Sequence, residues 1–219
     1  GIRDGELVHW SDMLAVTEHA RDAGLGTLLK SYQREQVLAL GIEKMLWTFD
    51  PLQSRNAYLN FSKLGIVVRE YVGNMYGETD SPLHLGVGTD RFIALWELTS
   101  FRTSDRLAGS RAPPQRPEGA RQALAEKGSY ALPEPGTPDL LREESAILVA
   151  IPSDIMTVMN TDIDLAGRWR EATRETFVHY INKGYEVHEI FWGDRISEYL
   201  LVHSGLSSQG TESHTRSGE

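Results

Sequence analysis

The stretch "VTEHARDAGLGTLLKSYQREQVLALG", Val16 to Gly41, decides how the chain is read. A strand-like run, "LVHWSDMLAV" (Leu7 to Val16), leads into a turn with two glycines, and a helix-like run follows. Apolar residues recur at Leu25, Leu28, Leu29, Tyr32, Val37 and Leu40, close to helical spacing, and Gly41 is a suitable stop. Glycines between a strand and a helix do two things. They let the backbone approach a ligand, and they aim the unpaired N–H groups of the helix start at it. The turn is therefore either an anion-holding loop or a bare reversal of the chain. It is not the Walker form, because no Lys-Ser/Thr follows Gly26, nor the dinucleotide form, because Leu29 stands where a third glycine would be.

Working outward, "KMLWTFD" (Lys44 to Asp50) is a nearly continuous apolar run of strand length, closed by Pro51. "SRNAYLNFSKLG" (Ser54 to Gly65) predicts a helix with Ser54 as N-cap and Gly65 as stop, and "IVVREYV" (Ile66 to Val72) predicts a strand. "RFIALWEL" (Arg91 to Leu98) is a further strand, preceded by "GVGTD", which reads as a turn. Thr99 to Pro138 is polar and rich in Pro and Gly, which predicts a long surface loop or insertion. "SAILVAIP" (Ser145 to Pro152) is a strand. "DIDLAGRWREATRETFVHYINKGY" (Asp162 to Tyr185) is an amphipathic helix with a core stripe from Trp169 to Ile181, and "RWREATRE" reads as its solvated face. "EVHEIFWG" and "EYLLVH" form a hairpin. No internal repeat is evident. The fold class is α/β (α+β), a mixed central sheet flanked by helices. The expected division is 1–98 as a core, 99–144 as a loop or insertion, 145–204 as a strand–helix–hairpin extension and 205–219 as a disordered tail.

Composition narrows the function classes. The chain has 219 residues, 40% apolar, enough for a sizeable core. A net charge of −9 with no basic run argues against a nonspecific nucleic-acid binder. There are no cysteines, which excludes disulfides, thiolate catalysis and a cysteine zinc site. No apolar run has membrane-spanning length and no signal peptide opens the chain, so a cytoplasmic protein without membrane or nucleic-acid partners is expected. The seven histidines are scattered without i, i+4 pairing, and no metal is expected.

Arg21-Asp22-Ala23-Gly24-Leu25-Gly26 fits Arg/Gln-x-x-Gly-x-Gly/Ala and so resembles the acyl-CoA pyrophosphate loop of the GNAT N-acyltransferase superfamily. "DMLAV" looks like that family's strand whose splayed end pairs with pantetheine, and "EKMLWTFDP" like its next strand. Lys63-Leu64-Gly65-Ile66 matches its Lys-x-Gly segment, and the block "WTFDPLQSRNAYLNFSKLG" is similar to a group of predicted GNAT acetyltransferases. The resemblance covers about residues 7–72. It implies a GNAT-like sheet, and acetyl-CoA or another acyl-CoA as co-substrate. The acceptor would be a small amine or amino acid that attacks the thioester directly; a homodimer is compatible with it. The amides of Ala23, Gly24, Leu25, Gly26 and Thr27 would hold the pyrophosphate, with Arg21 on a phosphate or exposed in the loop. Backbone groups of Leu14, Ala15 and Val16 would align the thioester, and Ser54 and Asn56 stand near the position where the family often places a helix-starting Asn.

Such catalysis rests on positioning and on amine deprotonation. Asp12 is the candidate base or amine orienter, or else a solvent-facing Asp. Asp50, at a strand end where α/β sheets place ligand groups, is the second candidate, or else caps the following helix or orders the Asp-Pro turn. His9 contacts substrate or is structural. The family's usual tyrosine acid is replaced by Phe61, leaving Tyr58 one turn earlier as the candidate. The chain starts at Gly1, without the strands and helices that usually precede this unit, so a C-terminal piece of a longer protein is expected. The alternative function is a non-catalytic GNAT-like CoA-binding or interaction module.

Overall fold

The computed structural model describes residues 1–12, 14, 24–77, 87–109, 114–128 and 132–205. The first strands are β1 (Ile2–Arg3) and β2 (Glu6–Trp10), so the strand expected to reach Val16 is described only to Trp10, residue 13 and residues 15–23 lying outside the described residues. Next come helix α1 (Leu25–Ala39), β3 (Lys44–Phe49) and α2 (Ser54–Tyr58), which widens into a π-type turn over Leu59–Leu64. Gly65, at φ 77°, ends that turn as the pattern predicts, but the helix N-cap is Gln53 rather than Ser54. Strands β4 (Val67–Val72) and β5 (Arg91–Glu97) complete this half.

The stretch expected as a loop, 99–144, contains regular structure. It holds α3 (Phe101–Ala108), β6 (Arg121–Leu124) and the small pair β7 (Glu126–Lys127) and β8 (Glu134–Pro135). Helix α3 lacks an apolar stripe, which hid it. It is fixed instead by the Ser100 side chain capping Thr103 N (3.1 Å) and by a buried ion pair of Arg106 with Glu189. Then follow β9 (Ala146–Pro152), α4 (Ile155–Thr161), α5 (Ile163–Asn182), β10 (Tyr185–Phe191) and β11 (Ile196–His203). Asp162 caps α5 through Leu165 N at 2.9 Å, and the final hairpin is as expected. Of the expected tail, 205–219, residues 206–219 lie outside the described residues.

The molecule is a mixed α/β protein. Nine strands form one sheet in the order β1-β2-β3-β5-β4-β10-β11-β9-β6, mostly antiparallel, with parallel pairs at β2–β3 and β6–β9. Residues 1–98 and 145–204 thus share a sheet, joined where Val68 of β4 pairs with Val187 of β10. The helices bury their apolar side chains in one large cluster against Met45, Trp47, Phe49, Phe92 and Trp96. A small second cluster, Val8, Leu46 and Ile93, lies on the opposite face. The core stripe of α5 is as read, with Trp169, Phe177 and Tyr180 fully buried. The stripe of α1 is not. Leu28, Leu29, Tyr32 and Leu40 are exposed, and the buried residues of α1 are Lys30 and Val37. Among the described residues, no helix is long and apolar enough to cross a membrane.

Candidate functional site

In a sheet with a parallel pair, ligand groups collect in the crevice beyond the strands' carboxyl ends. Here the pair is β2–β3, in register at Val8↔Lys44, His9↔Met45 and Trp10↔Leu46. The ladder closes with Ser11 N donating to Leu46 O at 2.7 Å. Strand β3 runs on through Trp47, Thr48 and Phe49, paired there with β5 on its other side. Among the described residues the β2–β3 pairing ends at Ser11.

Helix α1 starts at Gly24, whose φ of 73° is left-handed, while Leu28 N closes the first turn on Gly24 O at 3.1 Å. The N–H groups of Leu25, Gly26 and Thr27 have no acceptor within the helix, and the first turn carries neither an acidic residue nor a side-chain cap. The two glycines serve different ends. A Cβ on Gly24 would meet open space, so that glycine answers to its dihedral alone. A Cβ on Gly26 would stand 3.1 Å from a methyl carbon of Leu59, so Gly26 lets α1 pack on the π-type turn.

At the end of this described pairing, α1 inserts Lys30. Its Nζ lies 3.0 Å from Ser11 Oγ, 3.2 Å from Gln33 Oε1 and 3.9 Å from the centroid of the Trp47 ring. The Gln33 amide also meets the His9 ring at 3.3 Å. Lys30 is buried without a carboxylate partner among the described residues, and burial pulls its pKa down to about 8.

At the end of β3, Asp50 is buried and fully engaged. Its Oδ1 accepts Leu52 N at 2.8 Å, and Arg170 Nη2 reaches its two oxygens at 2.9 and 2.8 Å, with Arg91 Nη1 at 3.9 Å. One turn along α5, Arg174 donates from Nε and Nη2 to Asp90, both at 2.7 Å, and Asp90 also accepts from the Tyr71 hydroxyl and from Asn74 N (2.8 Å). Burial works to raise the Asp90 pKa, but the hydrogen bonds from Arg174, Tyr71 and Asn74 outweigh it and hold the carboxyl below the usual range. Tyr71 is pushed up, first by burial and then by the Asp90 charge. The "RWREATRE" run is therefore not simply a solvated face. Arg170 and Arg174, four residues apart, lie on the side of α5 that meets two aspartates at neighbouring strand ends.

The sequence-derived residues divide accordingly. Asp12 and Leu14 are exposed, just beyond the last described β2–β3 pairing; Ala15, Val16, Arg21 and Ala23 lie outside the described residues. Gly24, Leu25, Gly26 and Thr27 form the helix start described above. Asp50 is at the strand end as expected, but with Arg170 on both oxygens it is an ion-pair partner rather than a free base, and it also orders its own turn through Leu52 N. Ser54 is buried and donates to Ser153 O, so its hydroxyl is turned to β9 rather than to a ligand. Asn56 is exposed and faces Asn60 at 3.5 Å. The Tyr58 ring stands edge-on to Trp192 (centroids 5.8 Å apart) beneath Lys63, while Phe61 is fully buried between Phe49 and Tyr199. His9 touches Gln33. Lys30, Arg170 and Arg174 were not singled out from sequence; the one available signal was a lysine seven residues before Val37, on one helical face. Among the described residues, no cluster of His, Asp and Glu could hold a metal ion.

No family model, curated protein or solved structure matches this chain.

Proposed function

We propose that the chain is an acyl-CoA-dependent N-acyltransferase of the GNAT type, moving an acetyl or other short acyl group to a small amine or amino acid. The observation that carries this reading is the end of the described β2–β3 pairing at Ser11, where the glycine-led helix α1 sets Lys30 against the Ser11 hydroxyl. A pantetheine arm needs a strand edge left open in this way, and the amides of Leu25, Gly26 and Thr27, which have no acceptor within the helix, suit a pyrophosphate. The nucleophile is the acceptor nitrogen. It forms the new C–N bond, the C–S bond breaks with its electron pair on sulfur, and the amine's proton leaves to a base. Asp12, exposed next to Ser11 at the end of the described pairing, fits the base. Lys30, with a pKa of about 8 at that point, can exchange a proton near neutral pH. Tyr58 serves as acid in this scheme through its hydroxyl.

A second reading, a CoA-binding module without catalysis, draws support from the engaged Asp50 and the core position of Phe61. One experiment separates the two. The protein is incubated with acetyl-CoA or succinyl-CoA and a panel of amines and amino acids, while free CoA is followed and CoA binding is titrated by calorimetry. Turnover with any pair supports the enzyme. Binding without turnover supports the module, and absence of binding refutes both.

A further inference from the structure

The sheet reads alike from both ends. Outward from the β4–β10 boundary the order is β4-β5-β3-β2 on one side and β10-β11-β9-β6 on the other. Neighbours are antiparallel except the outermost of these pairs, which is parallel on both sides. Each inner ladder carries one irregularity at the same place. Arg69 bulges between Val68↔Ala94 and Glu70↔Ile93, and His188 between Val187↔Leu201 and Glu189↔Leu200. A helical segment ended by a left-handed glycine leads into each inner strand, Gly65 at φ 77° and Gly184 at φ 86°.

The sequences follow the same alignment. "NAYLNFSKLGIVVREYV" (56–72) and "ETFVHYINKGYEVHEIF" (175–191) agree at Gly65/Gly184, Val68/Val187 and Glu70/Glu189, with aromatics at Tyr58/Phe177 and Phe61/Tyr180. A repeat of so few identities is invisible in the sequence alone, which is why none was read there.

Equivalent residues meet at the boundary, as on the two-fold axis of a symmetric dimer. Val68 pairs with its equivalent Val187. Phe92 and Tyr199, which the ladders place opposite Tyr71 and its equivalent Ile190, touch each other with ring centroids 5.5 Å apart. Each then reaches the other half's helical segment, Phe92 to Phe177 and Tyr199 to Phe61.

The halves differ at the outer crevice. The pairing of β6 with β9 ends after Leu124↔Val149, while β9 continues to Pro152. In the first half α1 packs there, on the π-type turn. In the second half the segment 133–142 takes the corresponding place along α5. Trp169 donates to Pro133 O at 2.8 Å, Tyr180 to Asp139 O at 2.6 Å, and Asp139 N to Ala123 O at 2.7 Å.

We infer that the chain is an internal duplication of one β–α–β–α–β–β unit, whose second copy serves as the first copy's built-in partner. It covers the β4 edge, extends Arg170 and Arg174 to Asp50 and Asp90, and has its own crevice filled by its own backbone. This holds whether or not the proposed activity does.

The test grafts residues 66–72 onto 185–191 of the full chain in the inferred register: Tyr185→Ile, Glu186→Val, His188→Arg, Ile190→Tyr and Phe191→Val. A control places the same seven residues one position later. The in-register graft should unfold cooperatively with Tm lowered by less than about 10 °C, whereas the shifted graft should lose cooperative unfolding. Since Tyr at 190 is larger than Ile, a second graft keeps Tyr185 and Ile190 and carries only the other three changes. Loss of cooperative unfolding in this reduced graft overturns the inference, as does a shifted graft as stable as the in-register one.

Discussion

Replacing Lys30 by methionine should stabilise the protein at neutral pH, and the gain should fade as the pH rises. Lys30 carries its charge into a buried pocket where its partners are a hydroxyl, an amide and the face of Trp47, none of them anionic. The folded pKa is about 8 against 10.5 for a free lysine. Below pH 8 the amine is protonated folded or unfolded, and the full cost of burying its charge is present. Between about 8 and 10.5 the unfolded chain holds the proton and the folded chain does not, so stability rises with pH. Above 10.5 both are neutral and the cost is gone. A shift of this size corresponds to at most about 3 kcal/mol, and solvent screening at the crevice reduces it to roughly 1–2 kcal/mol. Methionine retains the stem's contacts and can pack its sulfur on Trp47, while Ser11 and Gln33 still bond each other at 3.0 Å. Urea unfolding of both proteins at pH 7, 8, 9 and 10 measures the difference, in which every other titrating group cancels. Lys30→Met should be more stable by roughly 1–2 kcal/mol at pH 7 and lose most of that lead by pH 10. A difference that is flat with pH, or a variant less stable at pH 7, would refute the reasoning, because the ammonium would then be a net stabiliser in the fold.

Arg170→Met strands the Asp50 carboxylate in the interior and should cost about 3–5 kcal/mol; Asp50→Asn with Arg170→Gln leaves no lone charge and should cost clearly less by chemical denaturation. Gly24→Ala should destabilise by about 1 kcal/mol through its positive φ, with the cost absent from contacts, and Gly26→Leu should lower Tm further by displacing Leu59; both should weaken CoA binding in calorimetry if the loop assignment is right. The low pKa of Asp90 contributes stability that is complete above its unfolded value of 3.8 and is lost as pH falls through the lower folded value, so Asp90→Asn should flatten the acid limb of a stability–pH curve, and an unchanged limb would exclude that role.

Much of the fold is legible in local pattern. The run "KMLWTF" has to be a strand buried on both faces, and Gly65 and Gly184 end their helices because each holds a φ that side-chain-bearing residues rarely adopt. Helix α4 was not read, since "IMTVMNT" is short and rich in strand-forming residues; the Asp154 cap on Thr157 N starts it. Helix α1 misled in the other direction. Its leucines keep helical spacing yet face outward, because the element that periodicity identifies has no say in which neighbour it meets.

The candidate site divides along the same line. Sequence by itself determined helix α1 with its glycine-led start, the buried strand β3 and the aspartate at that strand's end, since backbone dihedrals and side-chain period are local properties. Tertiary structure alone decided that Asp50 is taken by Arg170, that Lys30 is buried with no carboxylate partner among the described residues and that two halves share a seam at Val68 and Val187. Burial and pairing belong to two elements at once, and no single stretch of chain carries the other's position.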